Sequence, residues 1–312
     1  MLKTVIILLL TLLVVPLTAF YLDDPLSGLQ QAVLFSLLKV MLVVALACFA
    51  LGEITGNNSQ VDKIWSIVPI IYVWITARAF DFPPRMVLMA ILAILWGIRL
   101  TYNFARRGAY SWRFWEGEED YRWEVLRSKP AFNKKWKWTI FNLGFICLYQ
   151  NALILLFCLP IILAGNSPLS VWDGILSAFF LIILLIEFVA DQQQWDFQQT
   201  KRRLMETGAE LPEKYAKGFV AEGLWSKVRH PNYAAEQAIW LVFYLFSVIA
   251  TGQWLNWSIT GFLLLLLLFQ GSSDFSEEIS ATKYPAYKAY QQSVGRFLPR
   301  LWARTKMKRA AY

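Results

Sequence analysis

The sequence predicts an all-α, polytopic integral membrane protein, a bundle of about eight transmembrane helices with both termini in the cytoplasm. Of its 312 residues, 57% are hydrophobic and only 17% are charged, whereas soluble domains have about 45–50% apolar and about 25% charged residues. Apolar runs of about 20 residues, long enough to cross a bilayer as helices, recur along the chain. Helices are the expected form because they satisfy their own backbone hydrogen bonds in lipid.

The cationic residues between the apolar runs predict the topology. Nine Lys and Arg residues lie in the loop 106–138, seven in the loop 191–233 and eight after residue 271. The connections 164–169 and 252–255 hold none. Because cytoplasmic loops are enriched in Lys and Arg, these long loops and both termini are expected on the cytoplasmic side. The candidate spans lie near residues 2–20, 32–52, 62–80, 86–105, 139–163, 170–190, 234–251 and 256–271.

The composition argues against several kinds of site and partner. The net charge of +8 is explained by the positive-inside rule, so a nucleic-acid partner is not predicted. Cys48, Cys147 and Cys158 lie inside apolar runs at no ligand-like spacing. Neither disulfides nor a cysteine metal site is therefore expected, and no metal ligands are assigned.

Polar residues from four separated segments fall on the same side of the predicted bilayer. Ionisable groups within spans are costly, so each is by default a candidate for a functional site. Trp96, Arg99 and Asn103 follow an i, i+3, i+7 spacing and share one helical face. The residues on this side are Asp62, Arg99, Asn103, Glu187, Asp191, Asn232 and Glu236.

Two further pairs of polar residues are spaced one helical turn apart. Glu187 and Asp191 are four residues apart, as are Asn232 and Glu236, and each pair therefore shares a face of its helix. A bundle could gather these faces around one polar cavity open to the cytoplasm. Such a cavity would suit a ligand with an anionic, hydrogen-bonding part, together with an apolar substrate that enters from the lipid.

Each of these residues also has a purely structural interpretation. Asp62 or Arg99 alone is compatible with an anchor at the membrane interface, and Glu187 with a solvated position near its surface. His230 precedes Pro231, a position that is pushed out of the helical region, and Pro231 fits the first position of the next helix. His230 alone is therefore explained by a turn, whereas the convergence of all the polar residues favours a site.

The stretch "GLWSKVRHPNYAAEQAIW" resembles the signature of the steroid 5-alpha-reductase-like membrane protein family. In that signature a Gly-Leu-aromatic turn leads into an Arg-His-Pro-Asn-Tyr element and a following Glu. The segments "VDKIWSIVP", "LWGIRLTYNFARRG", "GEEDYRWEVLR", "EFVADQQQWDF" and "KYPAYKAYQQSVGRFLP" follow the order found in the bacterial uncharacterised branch of that superfamily. The resemblance implies N-terminal transmembrane helices at 1–58, a steroid-reductase-like membrane domain at 59–300 and a basic C-terminal tail at 301–312.

The resemblance implies an oxidoreductase that uses NADPH, with NADH as an alternative, to reduce a carbon–carbon double bond conjugated to a ketone. Asp62 takes the position of the catalytic acid, and Trp96 that of the catalytic tyrosine. An indole cannot exchange a proton usefully, so Tyr102 is a candidate replacement. Arg229 and His230 would contact the cofactor phosphates or close the turn. The residues that the resemblance assigns to the cofactor are Arg99, Asn103, Glu187, Asp191, Arg229, His230, Asn232, Tyr233 and Glu236.

One segment departs from the pattern of the family. Basic and aromatic residues normally precede the tail and hold the cofactor, whereas "FQGSSDFSEE" is polar and acidic and suits a 2′-phosphate poorly. Arg229, Lys227 or Lys217 could supply the charge, or the cofactor could be NADH.

Three functional hypotheses follow from the sequence. The first is a reductase of a lipophilic, steroid-like or other enone, in the bacterial inner membrane with its site facing the cytoplasm. The second is an S-adenosylmethionine-dependent methyltransferase, because isoprenylcysteine carboxyl methyltransferases share the Arg-His-Pro-x-Tyr element. The third is a non-catalytic membrane protein that retains the fold. The expected partners are a lipophilic small molecule and membrane lipids, and the sequence leaves the oligomeric state open.

Overall fold

The computed structural model describes residues 2–300 apart from residues 114, 133 and 166, with side chains from residue 10 onward. Within these residues the regular structure is helical, and the β-structure amounts to an isolated parallel bridge between Val228 and Gly295. The predicted all-α polytopic membrane bundle is confirmed. The predicted basic tail at 301–312 lies outside the described residues.

The helices follow one another with short connections along most of the chain. Three irregular helical segments join the α-helices: 3₁₀ turns at Pro130–Phe132 and Gly223–Ser226, and a π-helix at Asn142–Tyr149. The α-helices are α1 Leu2–Leu22, α2 Gly28–Thr55, α3 Gln60–Ile64, α4 Val68–Ala79, α5 Pro84–Ala105, α6 Tyr121–Arg127, α7 Lys135–Phe141, α8 Gln150–Cys158, α9 Pro160–Leu163, α10 Val171–Glu206, α11 Glu213–Ala216, α12 Pro231–Thr251, α13 Ile259–Lys283 and α14 Tyr287–Ser293.

Among the residues that the structure describes, six helical stretches are long and apolar enough to cross a membrane: α2, α5, the composite helix Lys135–Leu163, α10, α12 and α13. Two shorter apolar helices, Leu10–Leu22 and Val68–Ala79, correspond to the first and third predicted spans. A multi-pass membrane protein is therefore supported. The count of eight spans, the cytoplasmic termini and the bacterial inner membrane stay predictions.

The third predicted span is not one continuous helix. The short helix α3 ends at Ile64 and the apolar helix α4 begins at Val68. Pro69 lies in the first turn of α4, where a missing backbone N–H costs little and the ring favours a helix start. Asp62, predicted at the start of the span 62–80, therefore lies in a separate short helix that precedes the apolar helix α4.

The chain forms two compact units. One contains the residues up to Ile182 and Ile239–Phe269, and the other contains Ile183–Ala238 and the residues from Gln270 onward. Predicted boundaries at residues 58 and 300 came from the resemblance and stay predictions.

The first unit has an aromatic core and a buried ion pair. The Trp240 ring lies 4.9 Å from Trp96 and 4.0 Å from Phe157, centroid to centroid. Arg85 at the start of α5 donates through Nε and Nη2 to the two carboxylate oxygens of Asp173, at 2.6 and 2.8 Å. Both side chains are almost fully buried, at 1% and 2% exposure. This pair ties the beginning of α5 to the beginning of α10.

The second unit has a small aromatic core of its own. Phe219 contacts the rings of Tyr287 and Tyr290 at centroid distances of 4.9 and 5.2 Å, and Tyr284 packs against the same cluster. The Tyr290 hydroxyl donates to the backbone oxygen of Trp225. These contacts hold the loop before α12 against the C-terminal helix α14.

Candidate functional site

The predicted site residues form two sets, one in each compact unit. The first unit contains the predicted catalytic residues and two of the residues assigned to the cofactor: Asp62, Trp96, Arg99, Tyr102 and Asn103. The second unit contains the other residues assigned to the cofactor: Glu187, Asp191, Arg229, His230, Asn232, Tyr233 and Glu236.

Asp62 is a buried carboxyl group with an aromatic hydrogen-bond donor. The indole N–H of Trp123, in α6, donates to Asp62 Oδ2 at 2.8 Å. Trp123 is itself buried, so water does not compete freely for this contact. The hydrogen bond holds one carboxyl oxygen of Asp62 in a fixed position.

The loop between α5 and α6 covers the helix that carries Asp62. The Tyr110 hydroxyl donates to the backbone oxygen of Lys63 at 2.6 Å. The Lys63 ammonium donates to the backbone oxygen of Glu116, also at 2.6 Å. Ser59 Oγ accepts from the backbone N–H of Asp120 at 2.9 Å. The buried segment Gln60–Lys63 is thereby joined to the loop through the backbone oxygen and the ammonium group of Lys63.

Burial sets the proton affinity of Asp62. Loss of hydration and the neighbouring charge of Asp120 raise the pKa of Asp62 above the ordinary value near 3.8, although Arg122 and hydrogen bonds from Trp123 and Ser59 work in the other direction. Burial also acts to raise the pKa of Asp120, but the Arg122 guanidinium outweighs it and the pKa is lowered. Asp62 is thus the member of this pair that favours the protonated form.

The raised pKa of Asp62 predicts a pH-dependent stability. A group whose pKa is raised by folding contributes stability below its unfolded pKa, and this contribution is lost as the pH rises through the folded pKa. Asp62→Asn should therefore gain stability relative to wild type as the pH rises above about 4, the ordinary pKa of an unfolded aspartate. Thermal unfolding in detergent over this range measures it. Asp120→Asn is the matched control and should lose stability relative to wild type as the pH rises; parallel curves for all three proteins would contradict the assignment.

Helix α5 presents Trp96, Arg99 and Asn103 on its buried side, in agreement with their helical spacing. Asn103 Oδ1 accepts two hydrogen bonds from Arg106, from Nε at 3.0 Å and from Nη2 at 2.7 Å. Tyr102 differs from these residues, since it is 54% exposed and its ring lies 5.4 Å from the Arg106 guanidinium. The structure therefore does not bring the candidate replacement tyrosine to the face that carries Trp96.

Helices α10 and α12 contribute the polar groups of the second unit. Glu187 and Asp191 are buried one turn apart on α10, and Glu236 is buried in the second turn of α12. Asn232 Nδ2 donates to Asp191 Oδ1 at 3.1 Å. This hydrogen bond connects the pair Glu187 and Asp191 on α10 with the pair Asn232 and Glu236 on α12.

Arg229 and His230 close the turn before α12. Arg229 donates through Nε and Nη2 to the two carboxylate oxygens of Glu277, at 2.7 and 3.2 Å. His230 Nε2 lies 2.9 Å from Glu277 Oε1, and the His230 ring stacks on Tyr233 at a centroid distance of 5.2 Å. These contacts agree with the interpretation that His230 forms part of a turn before α12. A phosphate contact by Arg229 or His230 stays a prediction.

Sequence reasoning did not single out Trp123 or Glu277. Trp123 lies within "GEEDYRWEVLR" and Glu277 within "FQGSSDFSEE", both of which were considered only as segments. The resemblance leads one to expect basic residues in the segment that holds Glu277. The acidic Glu277 was therefore a signal that a cation lies nearby. Its partners, however, lie 47 and 48 positions away, and helical spacing cannot predict such a pairing.

The two sets offer different chemistry. Asp62 provides a buried acid that can donate a hydrogen bond when it is protonated. Glu187, Asp191, Asn232 and Glu236 provide carboxylate and amide groups, which accept from hydroxyl and amide N–H groups, and the amide also donates. This second set suits the sugar hydroxyls and the carboxamide of a nucleotide better than it suits phosphates.

The comparisons with known proteins place these residues in a family. The family model "Protein of unknown function (DUF1295)" matches residues 48–294, a range that includes every predicted site residue. An uncharacterised protein of Schizosaccharomyces pombe is 38% identical over 283 residues, covering 82% of this chain and 78% of the relative. No solved structure matches the chain. The match to the family model over most of the sequence shows that the chain belongs to the DUF1295 family.

Proposed function

We propose that this protein is a membrane reductase that uses a nicotinamide nucleotide to reduce a conjugated carbon–carbon double bond in a lipophilic enone. The observation that carries the proposal is the buried carboxyl of Asp62, with its raised pKa and its hydrogen bond from Trp123. A protonated acid of this kind can stabilise the negative charge that develops on a carbonyl oxygen during reduction. The quoted resemblance to steroid 5-alpha-reductase-like proteins supports the same chemistry.

The polar groups of the second unit fit part of a nicotinamide nucleotide. Asp191 and Asn232 are already hydrogen-bonded to each other, with the buried Glu187 one turn before Asp191. A carboxamide presents both donors and acceptors, and a combination of carboxylate and amide side chains can satisfy both kinds. NADPH, or alternatively NADH, would be held through these groups. Tyr233 and Glu236, which follow Asn232 in α12, would also contact it.

The phosphate end of the nucleotide needs cations that are not buried against a carboxylate. Arg229 donates to Glu277 and to the backbone oxygens of Gln291 and Val294. Lys227 is exposed two positions before Arg229, and Lys217 lies in an exposed ion pair with Glu213. We therefore assign the phosphate contact to Lys227 or Lys217 in preference to Arg229.

Asp62 and Trp96 of the first unit would act on the substrate. When bound, a nicotinamide nucleotide would supply the hydride that the beta carbon of the enone takes up, and water would supply the proton that the alpha carbon takes up. Asp62 donates a hydrogen bond to the carbonyl oxygen and so lowers the energy of the enolate-like transition state. Trp96, which lies in the aromatic core with Trp240, contributes an apolar wall. Arg99 and Asn103 share its face of α5, and we assign them to the nucleotide on the basis of the resemblance.

The proposal places the site on the cytoplasmic side of the membrane. This orientation follows from the many Lys and Arg residues in the long loops and from the positive-inside rule. Membrane lipids would surround the apolar helices, and the substrate would enter from the lipid because it is itself lipophilic.

Mass spectrometry of small molecules released from the detergent-purified protein tests this function. Stoichiometric NADP(H) or NAD(H) is the expected result and would justify a screen of enones. S-adenosylmethionine or its demethylated product would overturn the proposal in favour of the methyltransferase. The absence of both, with no binding when they are added back, would instead favour a non-catalytic protein that retains the fold.

Glu236→Gln is expected to weaken the retention of the nucleotide by about tenfold, the effect of losing roughly one charge-assisted hydrogen bond. The protein should still fold, because glutamine has nearly the same size and shape as glutamate. Equilibrium binding of the nucleotide to the purified variant measures the loss. Glu210→Gln, a change at an exposed glutamate of the same unit, is the control, and equal affinities for both variants would remove Glu236 from the proposed site.

A further inference from the structure

Glu277 is the centre of a buried polar cluster in the second unit. Its carboxylate oxygens accept two hydrogen bonds from Arg229, at 2.7 and 3.2 Å, and one from Gln291 Nε2 at 2.7 Å. His230 Nε2 adds a contact at 2.9 Å. The carboxylate is 3% exposed, so its charge is balanced by these side chains and not by bulk water.

The same turn is joined to the C-terminal segment through the backbone. The N–H of Arg229 donates to the oxygen of Gly295 at 2.8 Å, and the N–H of His230 donates to the oxygen of Arg296 at 3.1 Å. Arg229 Nη1 also donates to the backbone oxygens of Gln291, at 3.0 Å, and Val294. The turn is therefore fixed by its backbone and by the side chains around Glu277.

The position of this turn determines where helix α12 begins. Pro231 is the first residue of α12 and follows His230 directly, and Asn232 is the next residue. One residue, Pro231, lies between His230, which contacts Glu277, and Asn232, whose amide donates to Asp191. Because proline restricts its own backbone and that of the residue before it, movement of the turn would be passed to Asn232.

We propose that Glu277 is a positioning residue, which holds the Arg229–His230 turn so that Asn232 faces Asp191. The proposal rests on the proposed function in one respect, namely that the Asp191–Asn232 pair contacts the nucleotide. A carboxylate is needed because it accepts from Arg229, His230 and Gln291 together, whereas a glutamine oxygen accepts fewer hydrogen bonds and carries no charge.

Thiol labelling tests, without any ligand, whether Glu277 holds the Arg229–His230 turn. Cys48, Cys147 and Cys158 are buried, so a cysteine introduced by Asn232→Cys reports above a low background. Maleimide labelling of this reporter in folded protein should become about tenfold faster when Glu277→Gln is added, because local opening of the turn is easier. An unchanged rate would overturn the proposal.

A matched ion pair in the same unit provides the control. Arg202 and Glu206 form an exposed pair at 3.1 Å, with side chains 74% and 66% exposed. Glu206→Gln should leave the labelling rate of the reporter unchanged. If Glu206→Gln accelerates labelling as much as Glu277→Gln does, general loosening of the unit explains the result and the proposal fails.

Nucleotide affinity separates this inference from the proposed function. With the native Asn232 in place, Glu277→Gln should weaken nucleotide binding by about tenfold, measured at a temperature at which the variant is still folded. Faster labelling with unchanged affinity would show that Glu277 holds the turn but does not position a nucleotide contact, which overturns the positioning role. A wild-type protein that binds no nucleotide refutes the proposed function, while the labelling rates still decide whether Glu277 controls Asn232.

Discussion

Asp62→Asn is expected to lower the turnover of an enone substrate by about 10²- to 10⁴-fold, the range typical for loss of a general acid. The substitution keeps an oxygen that can accept the hydrogen bond from Trp123, which now reaches Asp62 Oδ2 at 2.8 Å, so the local fold should persist. It removes the acidic proton that would support a developing enolate. Nucleotide binding should be preserved, because the proposed nucleotide contacts in the second unit are unchanged.

Single-turnover oxidation of bound NADPH, followed by absorbance after the addition of an enone, measures this effect. Asp81→Asn is the control, since Asp81 is exposed and its backbone φ of 59° is a conformation that asparagine adopts readily. Unchanged turnover in Asp62→Asn would remove Asp62 from the mechanism. A loss of nucleotide binding together with turnover would point to a structural role.

Arg85→Ala is expected to destabilise the protein by about 3–5 kcal/mol, because it leaves the Asp173 carboxylate buried without its cation. The guanidinium makes two contacts with Asp173 and one with the backbone oxygen of Pro168, at 2.7 Å. Asp173 also accepts from the backbone N–H and the hydroxyl of Ser170, and these hydrogen bonds would only partly compensate. Asp173→Ala should be destabilising for the same reason.

Reversible unfolding in a denaturing detergent measures this loss. Replacement of both partners by apolar residues, Arg85→Met with Asp173→Leu, should cost less than either single alanine variant, since no charge is then left unpaired. Arg113→Ala disrupts an exposed pair with Glu116, with side chains 67% and 48% exposed, and should change stability by less than about 1 kcal/mol. Equal losses for Arg85→Ala and Arg113→Ala would show that the buried pair has no special importance.

The sequence predicted the class of fold because lipid imposes simple rules on it. Long apolar runs and the distribution of cations sufficed to identify a helical membrane bundle. The interruption between α3 and α4 was not predicted, because the run 62–80 is apolar enough to be read as one span. Pro69, in the first turn of α4, was the local signal for a helix start that hydropathy alone does not use.

Helical periodicity predicted which of the candidate residues share a helix face, whereas their role in a site stays a prediction. The spacing of Asp191 and Asn232 within their pairs indicated faces that could meet, and the two side chains are hydrogen-bonded. Periodicity also argues against Tyr102, which is six positions after Trp96, about 240° around an α-helix. That angle explains why Tyr102 is exposed while Trp96, Arg99 and Asn103 are buried.

Contacts between distant segments could not be predicted in this way. Trp123 reaches Asp62 across 61 positions, and Glu277 reaches Arg229 across 48. A single sequence gives the hydrogen-bonding capacity of these side chains but not their partners. The resemblance considers Arg229 as part of a local motif that contacts phosphates or closes a turn. In the fold, Arg229 donates to the carboxylate of Glu277, which lies in α13.

The π-helix at Asn142–Tyr149 fixes the rotation, about the helix axis, of the later part of the composite helix Lys135–Leu163. Phe157 lies downstream in α8, where its ring contacts Trp240 at a centroid distance of 4.0 Å and Trp65 at 6.3 Å. Each residue of an α-helix advances the chain by about 100°, so a single deletion within 142–149 would rotate every later side chain by roughly that angle. The length of this segment therefore sets which face of α8 meets the aromatic core, independently of the identity of its residues.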